Sequence, residues 1–165
     1  MKEIDVYKVL EGKNPKLARR VPRFVVDYLR RTIHEREVNE ILARFGDLEG
    51  IAFVRAALGY MNVRYHSVGM ERLKPEGRYV FASNHPFGGM DGLMLADEVA
   101  RYFGDVRVVV NDLLMYLGPL RGLFVPVNKH GRQDAGSVEA FNNAFASDVP
   151  IVTFPAGLCS RRRRG

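Results

Sequence analysis

The sequence predicts an α/β fold, a mostly parallel or mixed sheet flanked by helices and preceded by an N-terminal helical portion. Three observations predict it. Apolar residues recur at three- and four-residue spacing through the first 60 positions, short apolar runs bounded by turn residues come next, and two helical patterns alternate with those runs. At 165 residues and 47% hydrophobic the chain is long enough for a substantial core. We read residues 1–60 as an N-terminal helical region and residues 61–165 as an α/β core.

From about Asn14 to Tyr60, the residues Phe24, Tyr28, Ile33, Val38, Ile41, Leu42 and Phe45 mark two or three helices. Pro22 fits a helix start, Gly46-Asp47 a break, and Leu48 to Leu58 a further amphipathic segment ending near Gly59. Strands are expected at Asn62 to Val68, Arg78 to Ala82, Val106 to Val110, Leu123 to Val127 and Pro150 to Phe154. Helices are expected between them at Gly89 to Phe103 and Asp134 to Ser147, and such crossovers make neighbouring strands parallel. The last strand runs into Pro155-Ala156-Gly157 and then Arg161 to Arg164 with no later element to cover it, so the C-terminal part is expected to be truncated.

No stretch approaches the roughly 20 apolar residues of a spanning helix. Met1-Lys2-Glu3-Ile4-Asp5 sets charges where a secretory signal has its apolar core, and the single Cys159 leaves no disulfide framework, so a cytoplasmic setting is expected. Four of the charges behind the net +6 are Arg161 to Arg164. That balance suits anionic lipid, an acidic carrier protein, a phosphorylated substrate or nucleic acid about equally and ranks no partner by itself. The arginine run lacks the interleaved aromatics of single-strand binders and no recognition motif accompanies it, so no specific nucleic acid is expected. Arg19, Arg20, Arg23, Arg30 and Arg31 beside Phe24, Val25, Val26 and Leu29 read either as ordinary core with a solvated face or as a contact with an anionic membrane surface.

Asn84-His85-Pro86-Phe87-Gly88-Gly89-Met90-Asp91 carries the chemistry. It follows a strand, which puts His85 at a strand's C-terminal end, where open α/β sheets hold ligands. Asp91 falls in the first turn of the next helix, favoured there by the helix dipole and able to reach back to the histidine. An imidazole has an unperturbed pKa of roughly 6.5, and a carboxylate on one ring nitrogen fixes its tautomer for general base work at the other. Gly88 and Gly89 let the backbone bend tightly and a substrate approach. Taken alone, such a spacing occurs by chance in many proteins and more often marks a pair that merely caps a helix. His34, His66 and His130 lack partners at ligand spacing, so no metal is expected. Cys159 near Arg161 is a rival nucleophile, although a single cysteine is more often a small buried residue.

Together with Phe154-Pro155-Ala156-Gly157-Leu158-Cys159-Ser160-Arg161, the histidine segment resembles the first and third sequence blocks of the PlsC-like glycerolipid acyltransferases, in the lysophospholipid acyltransferase superfamily. Arg121-Gly122-Leu123-Phe124-Val125-Pro126-Val127-Asn128 resembles the second block, so the similarity runs from about Arg78 to Arg161. Five residues, Pro86 to Met90, separate His85 from Asp91, one more than is usual in the family. The longer form resembles its haemolysin-like or aminolipid-forming branch.

The resemblance implies a transfer without a covalent enzyme intermediate, from acyl carrier protein or acyl-CoA to a lyso-lipid hydroxyl, with His85 and Asp91 catalytic and no cofactor. It implies substrate contacts at Asn84, Gly88, Gly89, Gly122, Asn128, Phe154, Pro155, Gly157 and Arg161, and a peripheral place on the inner face of the cell membrane. Three positions depart from the family pattern. Ala156 replaces the common glutamate, Cys159 the usual arginine, and Asn128 stands where many relatives carry arginine. Those positions are associated in the family with the glycerol-phosphate acceptor, and a phosphate calls for a charge-assisted partner. A lyso-aminolipid acceptor is therefore preferred to lysophosphatidic acid, and a non-catalytic basic lipid-binding module is the alternative class.

Overall fold

In the computed structural model, which describes residues 3–13, 15–128 and 134–156, the chain opens with the helices α1 (Val6–Lys13), α2 (Pro15–Ala18), α3 (Arg23–Thr32), α4 (Glu35–Phe45) and α5 (Gly50–Tyr60). α1 precedes the helical stretch expected from Asn14. It starts where the Asp5 carboxylate accepts the Tyr7 N–H at 2.9 Å and the Lys8 N–H at 3.4 Å. Burial alone would raise that carboxyl, but the two N–H groups and the Arg30 guanidinium outweigh it and hold it below its ordinary value. Pro22 is extended and precedes α3, and α4 stops at Gly46, as the turn residues predict.

The α/β part follows as β1 (Val80–Ala82), α6 (Gly89–Phe103), β2 (Arg107–Asn111), β3 (Phe124–Val127), α7 (Ala135–Ala146) and β4 (Ile151–Thr153). All four strands are parallel, in the order β1-β4-β2-β3. β4 registers Ile151 against Val80 on one side and Arg107 on the other. Because β1 to β2 and β3 to β4 cross in opposite directions, right-handed crossovers place α6 and α7 on opposite faces. The alternation of side chains agrees. Val108, Val110 and Val152 join the core beneath α5 and α6, whereas Val109, Val125 and Ile151 pack with Phe141, Ala144 and Phe145 of α7.

One buried cluster draws on both regions: Ile41, Leu42, Phe53, Val54, Ala57 and Leu58 from the opening helices pack with Val99, Val106 and Val108. The two regions thus share apolar burial across residue 60.

Residues 62–68 correct an expected strand. They form no strand; the chain leaves α5 through Asn62 in the left-handed conformation, φ 51°, and lies along α6. Tyr65 donates to Asp97 at 2.6 Å, Arg55 donates to the other oxygen of Asp97 at 2.7 Å, and buried Glu98 is held by Ser67 and Arg101. Burial and then the Asp97 carboxylate push the Tyr65 phenol far up, so it stays a donor. The alternating pattern that suggested a strand is met by Val63 and Tyr65 packing on the core from an extended segment against a helix, with no ladder.

Candidate active site

β1 ends at Ala82, and the Ser83 N–H still reaches Thr153 of β4 at 3.1 Å, so the chain leaves the sheet only at Asn84 and His85. Gly88 then turns it into α6 with φ 65° and ψ −131°, a conformation open to glycine and costly for any residue with a Cβ. That turn brings Asp91, in the first turn of α6, back beneath His85. His85 Nδ1 lies 3.3 Å from Asp91 Oδ2, with side-chain exposures of 21% and 12%, so the pair is largely withdrawn from water. Nδ1 is buried and makes no aligned hydrogen bond, while Asp91 Oδ2 accepts the Phe87 N–H at 2.7 Å. The two groups lie close without an aligned hydrogen bond, and catalytic hydrogen bonds are often long or poorly aligned until substrate binds.

Gly88→Ala is expected to cost about 1–3 kcal/mol of stability. Gly89→Ala is expected to be nearly neutral, because a Cβ there meets nothing within 4 Å. Urea denaturation of the two variants checks the contrast.

The other expected positions divide by strand end. Phe154 follows β4, the immediate neighbour of β1, and its ring lies 4.3 Å from the imidazole at 35°. Asn84 and Pro155 are exposed on the same edge. Asn128 follows β3, also on the C-terminal edge, but three strand spacings from β1, about 14 Å at ~4.8 Å each. Gly122 precedes β3 and lies at the opposite end of the sheet from His85. It lines a depression of about 610 Å³ with Glu49, Asp105, Arg107 and Arg121. Both arginines there are engaged, Arg107 with Asp105 at 2.8 Å and Arg121 with the Met115 carbonyl at 2.7 Å. Gly157, Arg161 and Cys159 lie outside the described residues. No metal-binding group of side chains occurs among the described residues.

Sequence reasoning missed two features. The Phe87 backbone N–H, rather than the imidazole, holds the Asp91 oxygen. Exposed apolar side chains also gather on the C-terminal edge: Phe87 and Met90 beside the histidine, and Leu113 and Leu114 just after β2. The extra residue between His85 and Asp91 was the available signal for the first, since it lengthens the turn that presents the N–H.

An acyltransferase family model matches residues 8–165. The chain is 42% identical to the lyso-glycine lipid O-acyltransferase of Bacteroides thetaiotaomicron and 40% identical to the protein of the same description from Phocaeicola vulgatus. Each alignment covers 98% of this chain but 60% and 58% of those relatives' lengths. No solved structure matches the chain. A family match from residue 8 to the last residue, with relatives at 40% identity or more, shows that this chain belongs to the acyltransferase family.

Proposed function

We propose that the protein moves a fatty acyl group from an acyl thioester, on acyl carrier protein or coenzyme A, to the hydroxyl of a lyso-aminolipid. The observation that carries the reading is His85 Nδ1 at 3.3 Å from a carboxylate that is itself anchored by a backbone N–H. With Nδ1 turned to Asp91, Nε2 is the nitrogen that takes the proton from the acceptor hydroxyl. The freed oxygen attacks the thioester carbonyl carbon, the C–S bond breaks, and the imidazolium returns the proton to the leaving thiolate. Asp91 remains a carboxylate throughout and stabilises the imidazolium. The acceptor class is supported by the two relatives described as lyso-glycine lipid O-acyltransferases, and by Ala156, Cys159 and Asn128 in place of phosphate-binding side chains.

Labelled acyl carrier protein and acyl-CoA, offered with lyso-glycine lipid or lysophosphatidic acid, test this. Transfer to the aminolipid is expected. Transfer only to lysophosphatidic acid keeps the chemistry and discards the acceptor, and lipid binding without transfer to either leaves a binding module.

The same reading places the protein peripherally on the cytoplasmic face of a membrane. No helix among the described residues is long and apolar enough to cross one. α3 supplies a surface contact instead: Val25, Val26 and Leu29 turn inward, while Phe24 and Tyr28, one turn apart, are 73% and 66% exposed. Arg20, Arg23 and Arg31, near them in sequence, are exposed, with Asp27 as the one acidic side chain on the described stretch 20–31. Exposed aromatics beside an excess of cations suit the interface of an anionic bilayer, where a basic side chain contributes about 1 kcal/mol. Phe24→Ser with Tyr28→Ser is expected to weaken sedimentation with phosphatidylglycerol vesicles at least about tenfold. The chain contains no tryptophan, so Tyr28→Trp gives a single tryptophan whose emission, excited at the red edge to spare the tyrosines, should shift blue on binding.

A further inference from the structure

Resemblance to relatives puts Phe154 among the substrate contacts, but the structure puts it against the base. Its ring centroid is 4.3 Å from that of His85 with the planes 35° apart, close to an offset stack. The hydrogen-bonding groups do not by themselves fix the imidazole, because Nδ1 has no aligned partner and the facing Asp91 oxygen is held by Phe87.

Phe154 is itself well placed to hold the imidazole plane. Thr153, the preceding residue, registers with Ala82 of β1 and accepts the Ser83 N–H at 3.1 Å, so the histidine and the phenylalanine leave the sheet from paired strands. The ring is half-buried against the main core cluster. On the α6 side, a Cβ built on Gly92 would sit 3.9 Å from Phe154 Cε2, so the first turn of the helix comes close to the ring just where it carries no side chain. Phe154 therefore touches the imidazole and lies beside the helical turn that bears Asp91.

We propose that Phe154 is a positioning residue, which holds the plane of the His85 imidazole toward Asp91 and supports the imidazolium on its ring face when the base takes its proton. The aromatic face is the negative pole of the ring quadrupole, so it favours the charged form of the histidine. Among the described residues Asp91 is the charged group within ion-pair distance of His85. A misplacement of about 1 Å in a reacting group costs on the order of 100-fold in rate, so loss of the stacked ring should appear in turnover rather than in substrate affinity.

The inference rests on the reading of His85 as the base, and two readouts keep the two apart. In the transfer assay, Phe154→Leu is expected to lower kcat by about 10- to 100-fold with KM for donor and acceptor changed by less than about twofold. Phe154→Tyr should restore most of the rate. In the protein without substrate, the ¹⁵N titration midpoint of the His85 imidazole should move to lower pH by about half a unit in Phe154→Leu and stay near the parent value in Phe154→Tyr. Should Phe154→Leu fail to fold, Phe154→Met keeps more of the side chain's volume without the aromatic face and should give the same titration change.

A raised KM with kcat unchanged would make Phe154 a substrate contact and overturn the proposal, as would an unmoved titration midpoint in a folded variant. A moved midpoint in a protein that performs no transfer would keep the positioning role and remove the enzymatic one.

Discussion

His85→Ala is expected to lower acyl transfer by about 100- to 10,000-fold while leaving vesicle binding and the thermal transition close to those of the parent chain. The size follows from the role of a positioned base. Without it the acceptor hydroxyl keeps its proton as it meets the thioester, and the leaving thiolate has no nearby proton source. The structural effect should be small because the histidine lies beyond the last paired residue of β1, in a segment that turns over the sheet's edge. Asp91→Asn should cost nearly as much in rate, since an amide cannot stabilise the imidazolium and can favour the wrong tautomer. It should cost little in folding, because the amide oxygen can still accept the Phe87 N–H. Combining the two changes should cost no more than either alone, since the pair acts as a unit. Steady-state transfer by the three variants, with far-UV spectra as control, gives the measurement.

The largest effect on stability is expected from Phe53→Ala, about 3–5 kcal/mol. Phe53 is 4% exposed and sits on α5, which packs against α6 over the sheet. Removing it opens a cavity in the cluster shared by the opening helices and the α/β part. Because that cluster spans both, the loss should appear as one transition displaced to lower denaturant, with no early melting of residues 1–60. Urea unfolding followed by circular dichroism, which reports the helices of both regions, and by Tyr28→Trp fluorescence, which reports α3, should give coincident curves.

Much of this fold was legible in the sequence because its elements carry their own punctuation. α6 spans Gly89–Phe103 as its pattern predicts, opened by Gly88 in a glycine-only conformation and closed by Gly104 with φ 89°. α7 lies between Asp134, whose carboxylate accepts the Ser137 N–H at 2.9 Å, and Ser147. β2, β3 and β4 lie within about a residue of their expected ranges. The failures have a common cause, since each depended on a partner that local pattern does not name. Val63 and Tyr65 alternate as a strand would, yet their partner is a helix. Gly122 belongs to a block resembling a substrate-contact motif, yet parallel pairing places it at the far end of the sheet. The nearness of His85 and Asp91 was legible because only a short turn separates them. The ring of Phe154 over that histidine was not, because it depends on β4 lying beside β1, an order that neither strand encodes alone.

The insertion of β4 between β1 and β2 also fixes when the site can exist during synthesis. Among the described residues β1 pairs with β4 and no other strand, and the register partner of Val80 is Ile151, about 70 residues later. A nascent chain that has released the histidine and aspartate has β1, α6 and β2 in hand, but no strand with which β1 pairs. The gap closes only when residues 151–153 leave the ribosome, at a loop-closure cost that grows with the intervening length. Chains arrested before β4 should therefore present β1 as an unpaired apolar strand, open to chaperones and to other nascent chains, and the histidine's surroundings assemble only once β4 has emerged.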